Sequence, residues 1–232
     1  MKVFWTEVTV TDHDDGQGLA LDGRPVKTPA KAPLILPTRA LAEAVAGEWR
    51  AQSDQVRPET MPLTRAANTA IDRVALALDA VARELADYGD ADLLCYRADH
   101  PHPLVARQAA AWDPLVAWSA ATLGAPLDVA EGLVHRPQPA GTLDALAHHV
   151  RRHDAWEMTA LHDLVTLSGS LVIGLAVSHR HLTAAEAWPL SRIDEDWNAE
   201  QWGEDAEAAD VAARKRRSFE TAAQLIALVR SD

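Results

Sequence analysis

Histidine side chains are the first candidates for chemistry in this sequence. His149 and His153 lie four residues apart, a spacing that places both imidazoles on one face of a helix. Asp154 follows directly, and His162 with Asp163 lies one short stretch further along. Two imidazoles at this spacing can hold a zinc ion, but a catalytic zinc site needs a third protein ligand. The pattern leaves two hypotheses open: solvated or helix-capping histidines, and a metal-assisted hydrolase that uses His149, His153 and His162.

No other residue pattern indicates a catalytic centre. The sequence contains no H-E-x-x-H, G-x-x-x-x-G-K-[ST] or G-x-G-x-x-G motif, and the short GQG at Gly16 is interpreted as a turn. Ser168 and Ser170 flank Gly169, but they fall in an apolar helical stretch without the strand–turn–helix context of a nucleophilic serine. Cys95 is the only cysteine, which excludes an internal disulfide and is typical of a small buried side chain. We therefore predict a protein that is not an enzyme and that needs no cofactor.

A run of acidic residues near the C-terminus contains two tryptophans and is the best candidate for a binding surface. Trp is enriched where interfaces concentrate their binding energy, and carboxylates suit a partner that carries basic residues around an apolar patch. A solvated face of self-paired charges is the alternative, because four basic residues follow directly at 214–217. The residues predicted to contact a partner are Glu195, Trp197, Glu200, Trp202, Glu204 and Asp205.

The composition limits the classes of partner. The 232 residues carry a formal net charge of -12, which argues against nucleic acid and anionic membranes and favours a partner with basic surface. The N-terminal residues lack the basic region and apolar run of a signal peptide. The most apolar stretch, 164–177, is shorter than the roughly 20 residues of a membrane-spanning helix and is predicted to be a buried core helix. A soluble protein of the bacterial cytoplasm is expected.

The first 37 residues have the pattern of strands and turns. Strand-forming residues dominate 3–10, and 32–36 is a further short strand candidate. Asp22 and Gly23 lie between two such runs and predict a two-residue hairpin turn, because Gly tolerates a positive φ.

From Thr38 onward the hydrophobic periodicity is helical. Thr38 is predicted to cap a helix that ends near Gln52, and Thr64 and Asp79 are predicted to open the next two helices. Pro103 suits the first turn of a further long helix. The sequence therefore predicts an α+β protein, with a small β-rich N-terminal domain over 1–62 that includes one helix and a larger all-α C-terminal domain over 63–232.

A stripe of small side chains is predicted in a single long helix of the C-terminal domain. Small side chains at four-residue spacing let a neighbouring helix come close. The residues of this stripe are Thr166, Ser170, Gly174 and Ser178.

Several segments together resemble one known family, the assembly chaperones for the alpha subunit of the ATP synthase catalytic head, known from mitochondria and alphaproteobacteria. No single segment is a chemical signature, and their order and number carry the resemblance. The segments are LDGRPVKTP (21–29), GEW (47–49), MPLTRAANTAIDRV (61–74), DLLCYRA (92–98), WDPLVAW (112–118), TALHDLVTLSGSLVIGLAV (159–177) and LSRIDEDWNAEQWGED (190–205).

The resemblance implies a β-rich N-terminal domain, a helical C-terminal domain and binding of the unassembled alpha subunit. It implies that the protein shields the surface of that subunit that will later meet the beta subunit, and that it releases the subunit when beta arrives. A monomer is expected, with no nucleic-acid partner and no membrane insertion; eukaryotic relatives would work in the mitochondrial matrix. A regulatory or structural component of the synthase itself is the remaining alternative, and it would be retained in the finished complex.

Overall fold

The computed structural model describes residues 2–132, 134–203 and 205–231. Strands are concentrated near the N-terminus and helices dominate the rest, which confirms the predicted α+β class. No helix among these residues is both long and apolar enough to cross a membrane.

The N-terminal strands form one antiparallel sheet. Its four strands are β1 (Val8–His13), β2 (Gly16–Leu21), β3 (Arg24–Pro25) and β4 (Ile35–Leu36). Strand β2 pairs with each of the other three, and Val8 lies opposite Leu21 in the long β1–β2 ladder.

The turn predicted at Asp22 and Gly23 is confirmed, because both residues have a positive φ (47° and 77°) between the paired strands β2 and β3. The predicted turn at Gly16 is wrong. Gly16 is the first residue of β2, and the hairpin turn falls two residues earlier, at 14–15. The strand predicted over 3–10 begins only at Val8.

Helix α1 (Arg39–Arg50) packs against this sheet and agrees with the predicted helix. The Thr38 side chain accepts a hydrogen bond from the backbone N–H of Leu41, as expected of an N-cap. Leu41, Val45 and Trp49, spaced four residues apart, are all buried and form the face that meets the core.

The next two helices begin slightly away from their predicted caps. Helix α2 (Pro62–Asp72) starts with a proline in its first turn rather than at Thr64. Helix α3 (Leu78–Asp87) starts one residue before Asp79, which therefore lies in the first turn. Short 3₁₀ turns cover Pro58–Thr60, Val74–Leu76, Tyr88–Ala91 and Leu93–Cys95.

The second half of the chain is built from helices with one small strand pair. Strands β5 (Tyr96–Arg97) and β6 (Ala130–Glu131) pair in parallel. Helix α4 contains Pro103 in its first turn, as predicted, and continues into a π-helical turn over Ser119–Leu123. The helices are α4 (His102–Trp118), α5 (Ala140–Val150), α6 (Ala155–Ser168), α7 (Leu171–Ser178), α8 (Ala184–Leu190), α9 (Ile193–Trp202) and α10 (Ala206–Val229).

The apolar stretch predicted as one core helix is two helices. Helix α6 ends at Ser168, Gly169 adopts a left-handed φ of 72°, and the Ser170 side chain caps α7 by accepting from the N–H of Ile173. The predicted stripe is therefore not one helical face. Close approach is still found at Gly174, where a Cβ atom would lie 2.7 Å from a methyl carbon of Val165 on α6.

The described residues fall into two compact units. The first comprises 2–78, 154–160 and 224–231, and the second comprises 79–153, 161–203 and 205–223. The division of the chain into domains over 1–62 and 63–232 stays a prediction.

Glu48 fixes α2 against α1 inside the first unit. Its carboxylate accepts hydrogen bonds from the backbone N–H groups of Leu63 and Thr64, both at 2.7 Å, and from the Thr64 hydroxyl at 2.6 Å. The hydroxyl of Thr28 donates to Asp72 at 2.6 Å. Three of the segments that carry the family resemblance, at 21–29, 47–49 and 61–74, are thus joined to one another by hydrogen bonds.

Asp92 has the corresponding role in the second unit. It is completely buried, and it accepts hydrogen bonds from the N–H of Leu94 and from the N–H of Val172 at the start of α7, each at 3.0 Å. The Arg97 guanidinium lies 5.2 Å from the centre of the Trp112 ring, and the Trp112 indole donates to the carbonyl of Leu190 at 2.8 Å. The four later segments are therefore also linked through their own polar side chains.

Candidate functional site

Four of the predicted contact residues lie on α9, namely Glu195, Trp197, Glu200 and Trp202, and Asp205 directly precedes α10. Helix α9 has three acidic residues in its first turn, where negative charge interacts favourably with the helix dipole. It ends at Trp202, and its C-cap is Gly203, which has a φ of 94°. The Asp205 carboxylate accepts from the backbone N–H of Glu207 and so occupies a free donor in the first turn of α10.

Helix α9 is held in place by α4. The Gln108 amide donates to Asp194 at 2.6 Å, and Ile193 is buried. The indole bond from Trp112 to the Leu190 carbonyl fixes the segment that leads into α9. This part of α9 therefore belongs to the folded scaffold, and its orientation is set before any partner binds.

Arg107 of α4 engages two of the predicted contact residues. Its guanidinium donates two hydrogen bonds to Glu200, at 2.7 and 2.8 Å, and lies 5.0 Å from the centre of the Trp197 ring. The hydrogen bonds from Arg107 hold the pKa of the Glu200 carboxyl below its ordinary value, and the same contact raises the pKa of Arg107. Glu200 and Trp197 are thus paired within the protein, as the alternative of a self-paired surface expects, and their contact with a partner stays a prediction.

A groove lies between α9 and α10, and Trp202 is one of the residues that line it. The groove has a volume of about 720 Å³, and small apolar side chains such as Ala199, Ala208 and Ala212 contribute to its walls. The Trp202 side chain is 87% exposed, the highest value among the large hydrophobic residues that the structure describes. An exposed indole beside an apolar groove is typical of a protein interaction site.

The rim of this groove is mostly acidic. Glu195, Asp196, Asp205 and Glu207 contribute carboxylates, while Arg192 and Lys215 contribute positive charge. Arg192 is itself paired with Glu195 at 3.0 Å and with Asp196 at 3.9 Å. Such a rim favours a partner that presents basic residues around an apolar patch.

The structure divides five of the six predicted contact residues into two groups. Glu195, Trp202 and Asp205 line the groove, whereas Trp197 and Glu200 face Arg107. The sixth predicted residue, Glu204, lies outside the described residues. Which of them contact a partner stays a prediction.

Sequence reasoning missed two basic residues that pair with this surface, Arg107 and Arg192, whereas Lys215 belongs to the basic residues 214–217 noted in the sequence. Arg192 carries a local signal, because a basic residue three positions before Glu195 on a helix can pair with it. Arg107 is 93 residues from Glu200, and no spacing rule connects them.

The predicted histidine cluster does not form a metal site in the described residues, where no group of three or more His, Cys, Asp or Glu is placed to hold an ion. His153 is buried, and its Nε2 lies 2.6 Å from the Ser178 hydroxyl. The His149 ring packs 5.2 Å from the ring of His179, and His162 pairs with its neighbour Asp163. The structure gives the metal-assisted hydrolase no support.

The other candidate nucleophiles serve the fold. The Ser168 hydroxyl donates to the carbonyl of Leu164 at 2.6 Å, and Ser170 caps α7. Cys95 is buried, as predicted, and burial raises the pKa of its thiol to about 12, which keeps the unreactive protonated form at neutral pH.

Comparison with known proteins gives consistent matches over the chain. A family described as ATP12 chaperone protein matches residues 2–120. The crystal structure of Atp12 from Paracoccus denitrificans is 47% identical, with a TM-score of 0.96 over 99% of this chain and 98% of that one. A mutant of the same Paracoccus protein matches equally well. The Atu1473 protein of Agrobacterium tumefaciens is 43% identical, with a TM-score of 0.91 over 96% of this chain and 84% of that one.

Proposed function

Because this chain belongs to the ATP12 chaperone family, we propose that it binds the unassembled alpha subunit of F-type ATP synthase and shields the surface that will meet the beta subunit. Members of this family act as chaperones in ATP synthase assembly. The identity of the client and the way it is bound are our extension of that role. The observation that carries the extension is the exposed Trp202 indole at the groove between α9 and α10.

The groove suits a client that exposes apolar surface before assembly. An unassembled subunit leaves the apolar part of its future interface in water, and such surface drives aggregation. A chaperone competes with aggregation by covering part of this surface, and a Trp side chain supplies large contact area with few rotatable bonds. Trp202 is already exposed and stands on a helix anchored by α4, so little ordering of the groove is needed on binding.

The acidic rim provides the selectivity that an apolar groove alone lacks. Carboxylates of Glu195, Asp205 and Glu207 surround the apolar wall, and these side chains are exposed. Complementary charge accelerates encounter and disfavours wrong partners. We therefore expect the client surface to carry Arg or Lys residues around an apolar centre.

Binding and release need no chemical step in this proposal. If the chaperone covers surface that the beta subunit also requires, the beta subunit displaces it by mass action. The protein then leaves as the catalytic head forms and is absent from the finished synthase. We place this role in the bacterial cytoplasm and assign it to a monomer.

Size-exclusion chromatography with the purified alpha and beta subunits tests the proposal. The chaperone and alpha subunit should elute together, and the addition of beta subunit should return the chaperone to its own elution volume. A stable complex of all three proteins would contradict overlapping surfaces. Failure of the chaperone and alpha subunit to associate at micromolar concentration would reject the proposed client.

A further inference from the structure

A second cavity lies in the first unit, and the residues that line it fall between Val26 and Asn68. It has a volume of about 290 Å³ and is open to the surface. Residues from three of the segments that carry the family resemblance line it, including Lys27, Trp49 and Arg65. The hydrogen bonds of Glu48 and of Thr28 with Asp72 connect the same three segments, so the walls of the cavity are mutually braced.

One part of the wall of this cavity is apolar. Val26, Leu34 and Met61 contribute buried side chains, and Trp49 contributes an indole that is only 8% exposed. The Trp49 Nε1 atom is buried and has no hydrogen-bond partner within the described part of the chain. An apolar floor of this kind accepts the side chain of a residue such as Leu, Val or Phe.

Three cations surround the apolar walls. Lys27, Lys31 and Arg65 line the cavity, all three are exposed, and none forms an ion pair among residues 2–132, 134–203 and 205–231. A cluster of unpaired positive charge stands out in a chain whose net charge is -12. It is the feature of this cavity that points to an anionic ligand group.

Two carboxylates that bond to residues of the same three segments are already engaged by hydrogen bonds. Glu48 accepts hydrogen bonds from the N–H groups of Leu63 and Thr64, and Asp72 accepts from Thr28 and from the N–H of Ala30. Both carboxylates therefore serve backbone and hydroxyl donors. Neither carboxylate forms an ion pair with Lys27, Lys31 or Arg65 among the described residues.

Asn68 adds a neutral hydrogen-bonding group to the same cavity. Its side chain lines the cavity, and its amide makes no hydrogen bond within the described residues. A side-chain amide can donate to a peptide carbonyl and accept from a peptide N–H at the same time. It is therefore suited to a stretch of extended polypeptide backbone.

We propose that this cavity binds an extended acidic segment of the client polypeptide, in which an Asp or Glu side chain stands beside an apolar residue. The apolar side chain enters between Trp49 and Met61, the carboxylate meets the cations of Lys27, Lys31 and Arg65, and Asn68 holds the backbone. The assignment of the client rests on the proposed function; the chemistry of the cavity does not.

The cavity is less suited to a phosphate group. Phosphate sites commonly use the free N–H groups at the start of a helix, and the start of α2 lies at this cavity. Here the N–H groups of Leu63 and Thr64 already donate to Glu48. The cavity therefore offers the flexible charged side chains of Lys and Arg around an apolar floor. This combination favours a ligand in which a carboxylate lies beside an apolar side chain.

The first experiment measures binding of the purified alpha subunit by calorimetry. The triple variant Lys27→Glu/Lys31→Glu/Arg65→Glu should weaken binding by about tenfold or more, because each reversal turns a close attraction into repulsion. The matched control is Arg83→Glu/Arg151→Glu/Arg152→Glu, which makes the same change in net charge at exposed positions in the second unit. The control should change the dissociation constant by less than about twofold.

The second experiment does not depend on the client. An acetylated and amidated hexapeptide of alternating Leu and Asp is titrated into the ¹⁵N-labelled protein, with a hexapeptide of alternating Leu and Lys as its counterpart. The acidic peptide should shift the Trp49 indole and Asn68 amide resonances in the wild type and should leave them unchanged in the triple variant. The basic peptide should shift neither resonance.

The outcomes separate the two proposals. If the alpha subunit fails to bind the wild type, the proposed client is wrong, and the peptide titration still decides the cavity. If the alpha subunit binds and both triple variants bind it equally well, the cavity does not hold a client segment. If the acidic peptide leaves Trp49 and Asn68 unperturbed, or if both peptides perturb them alike, the proposed ligand class is wrong.

Discussion

The guanidinium of Arg107 and the carboxylate of Glu200 form a two-pronged ion pair, with N···O distances of 2.7 and 2.8 Å, between helices that are far apart in sequence. The same guanidinium covers the face of Trp197 at 5.0 Å. One cation thereby pairs with an acid and covers an aromatic ring on α9, while the Glu200 side chain stays 51% exposed. Glu195 and Asp205, which line the groove, form no ion pair with Arg107 among the described residues.

This ion pair predicts a measurable pH effect. Because Arg107 lowers the pKa of Glu200 in the folded state, the pair stabilises the fold above the unfolded pKa of Glu, about 4.3, and this stabilisation is lost as the pH falls through the lower folded pKa. The variant Arg107→Gln should raise the pKa of Glu200, as measured by carboxyl ¹³C NMR. The pKa of Glu186, which is lowered by its hydrogen bonds with Thr183, is the internal control and should not move. A pKa of Glu200 that is the same in both proteins would contradict this account.

Trp202 should contribute strongly to client binding and little to stability. Truncation of an exposed Trp at the centre of an interface typically costs about 2 kcal/mol or more of binding free energy, which corresponds to roughly 30-fold in Kd. The variant Trp202→Ala should therefore weaken binding of the alpha subunit by about this factor while its melting temperature stays unchanged, because the side chain is 87% exposed.

The matched control for this variant is Val134→Ala, which removes another exposed hydrophobic side chain in the second unit. It should leave the Kd unchanged. Equal and small effects of Trp202→Ala and Val134→Ala in calorimetry would remove the groove from the binding surface.

Asp205 allows the acidic rim to be tested without loss of the helix cap. The variant Asp205→Asn keeps a side-chain oxygen for the N–H of Glu207 but removes the negative charge. We expect a lower association rate with the alpha subunit, measured by stopped-flow fluorescence at low salt, and a smaller difference at high salt because salt screens exposed charges. A deficit that is independent of salt would show that the charge of Asp205 does not act through electrostatic steering.

The sequence predicted those parts of the fold whose causes are local. The cap at Thr38 and the buried face of α1 with Trp49 follow from residues within a few positions of each other. The break between α6 and α7 was missed because the residues are apolar on both sides of it, so the hydrophobic pattern continues through the break. The signal was the local Ser-Gly-Ser sequence, in which Gly169 ends one helix and Ser170 caps the next.

The candidate site was predictable only in part, for a similar reason. A run of acids with two tryptophans indicates a surface, and Trp202 and Asp205 do lie at a groove. The sequence does not say which members of the run pair inside the protein, because the deciding residue, Arg107, comes from another helix. Tertiary contacts of this kind follow from the packing of α4 against α9 and have no counterpart in local spacing.

Glu48 should be important for stability although it lies outside the groove. The variant Glu48→Ala removes the acceptor for three hydrogen bonds at the start of α2, with distances of 2.6 to 2.7 Å. We expect a loss of about 2 kcal/mol in the free energy of unfolding, measured by urea denaturation, because a helix cap and buried donors lose their partner.

Glu43 on the same helix provides the control for Glu48. It is exposed and pairs with Arg50 at 3.2 Å, so Glu43→Ala should change the free energy of unfolding by less than about 1 kcal/mol. The variant Glu48→Gln, which keeps one acceptor oxygen, should lie between the two. A loss for Glu48→Ala no larger than that for Glu43→Ala would mean that the carboxylate is not a cap in solution.

The pKa of His149 should lie below that of an ordinary histidine, and the pKa of His162 should lie above it. Burial lowers the pKa of His149, so its contribution to stability is present above the unfolded value of about 6.5 and is lost as the pH falls through the folded pKa. The hydrogen bond with Asp163 raises the pKa of His162, so its contribution is present below about 6.5 and is lost as the pH rises through the folded pKa. Imidazole NMR titration should resolve the two residues on either side of the unperturbed value, and Asp163→Asn should lower the pKa of His162 alone. If both histidines titrate together near 6.5, neither the burial of His149 nor the hydrogen bond between His162 and Asp163 is present in solution.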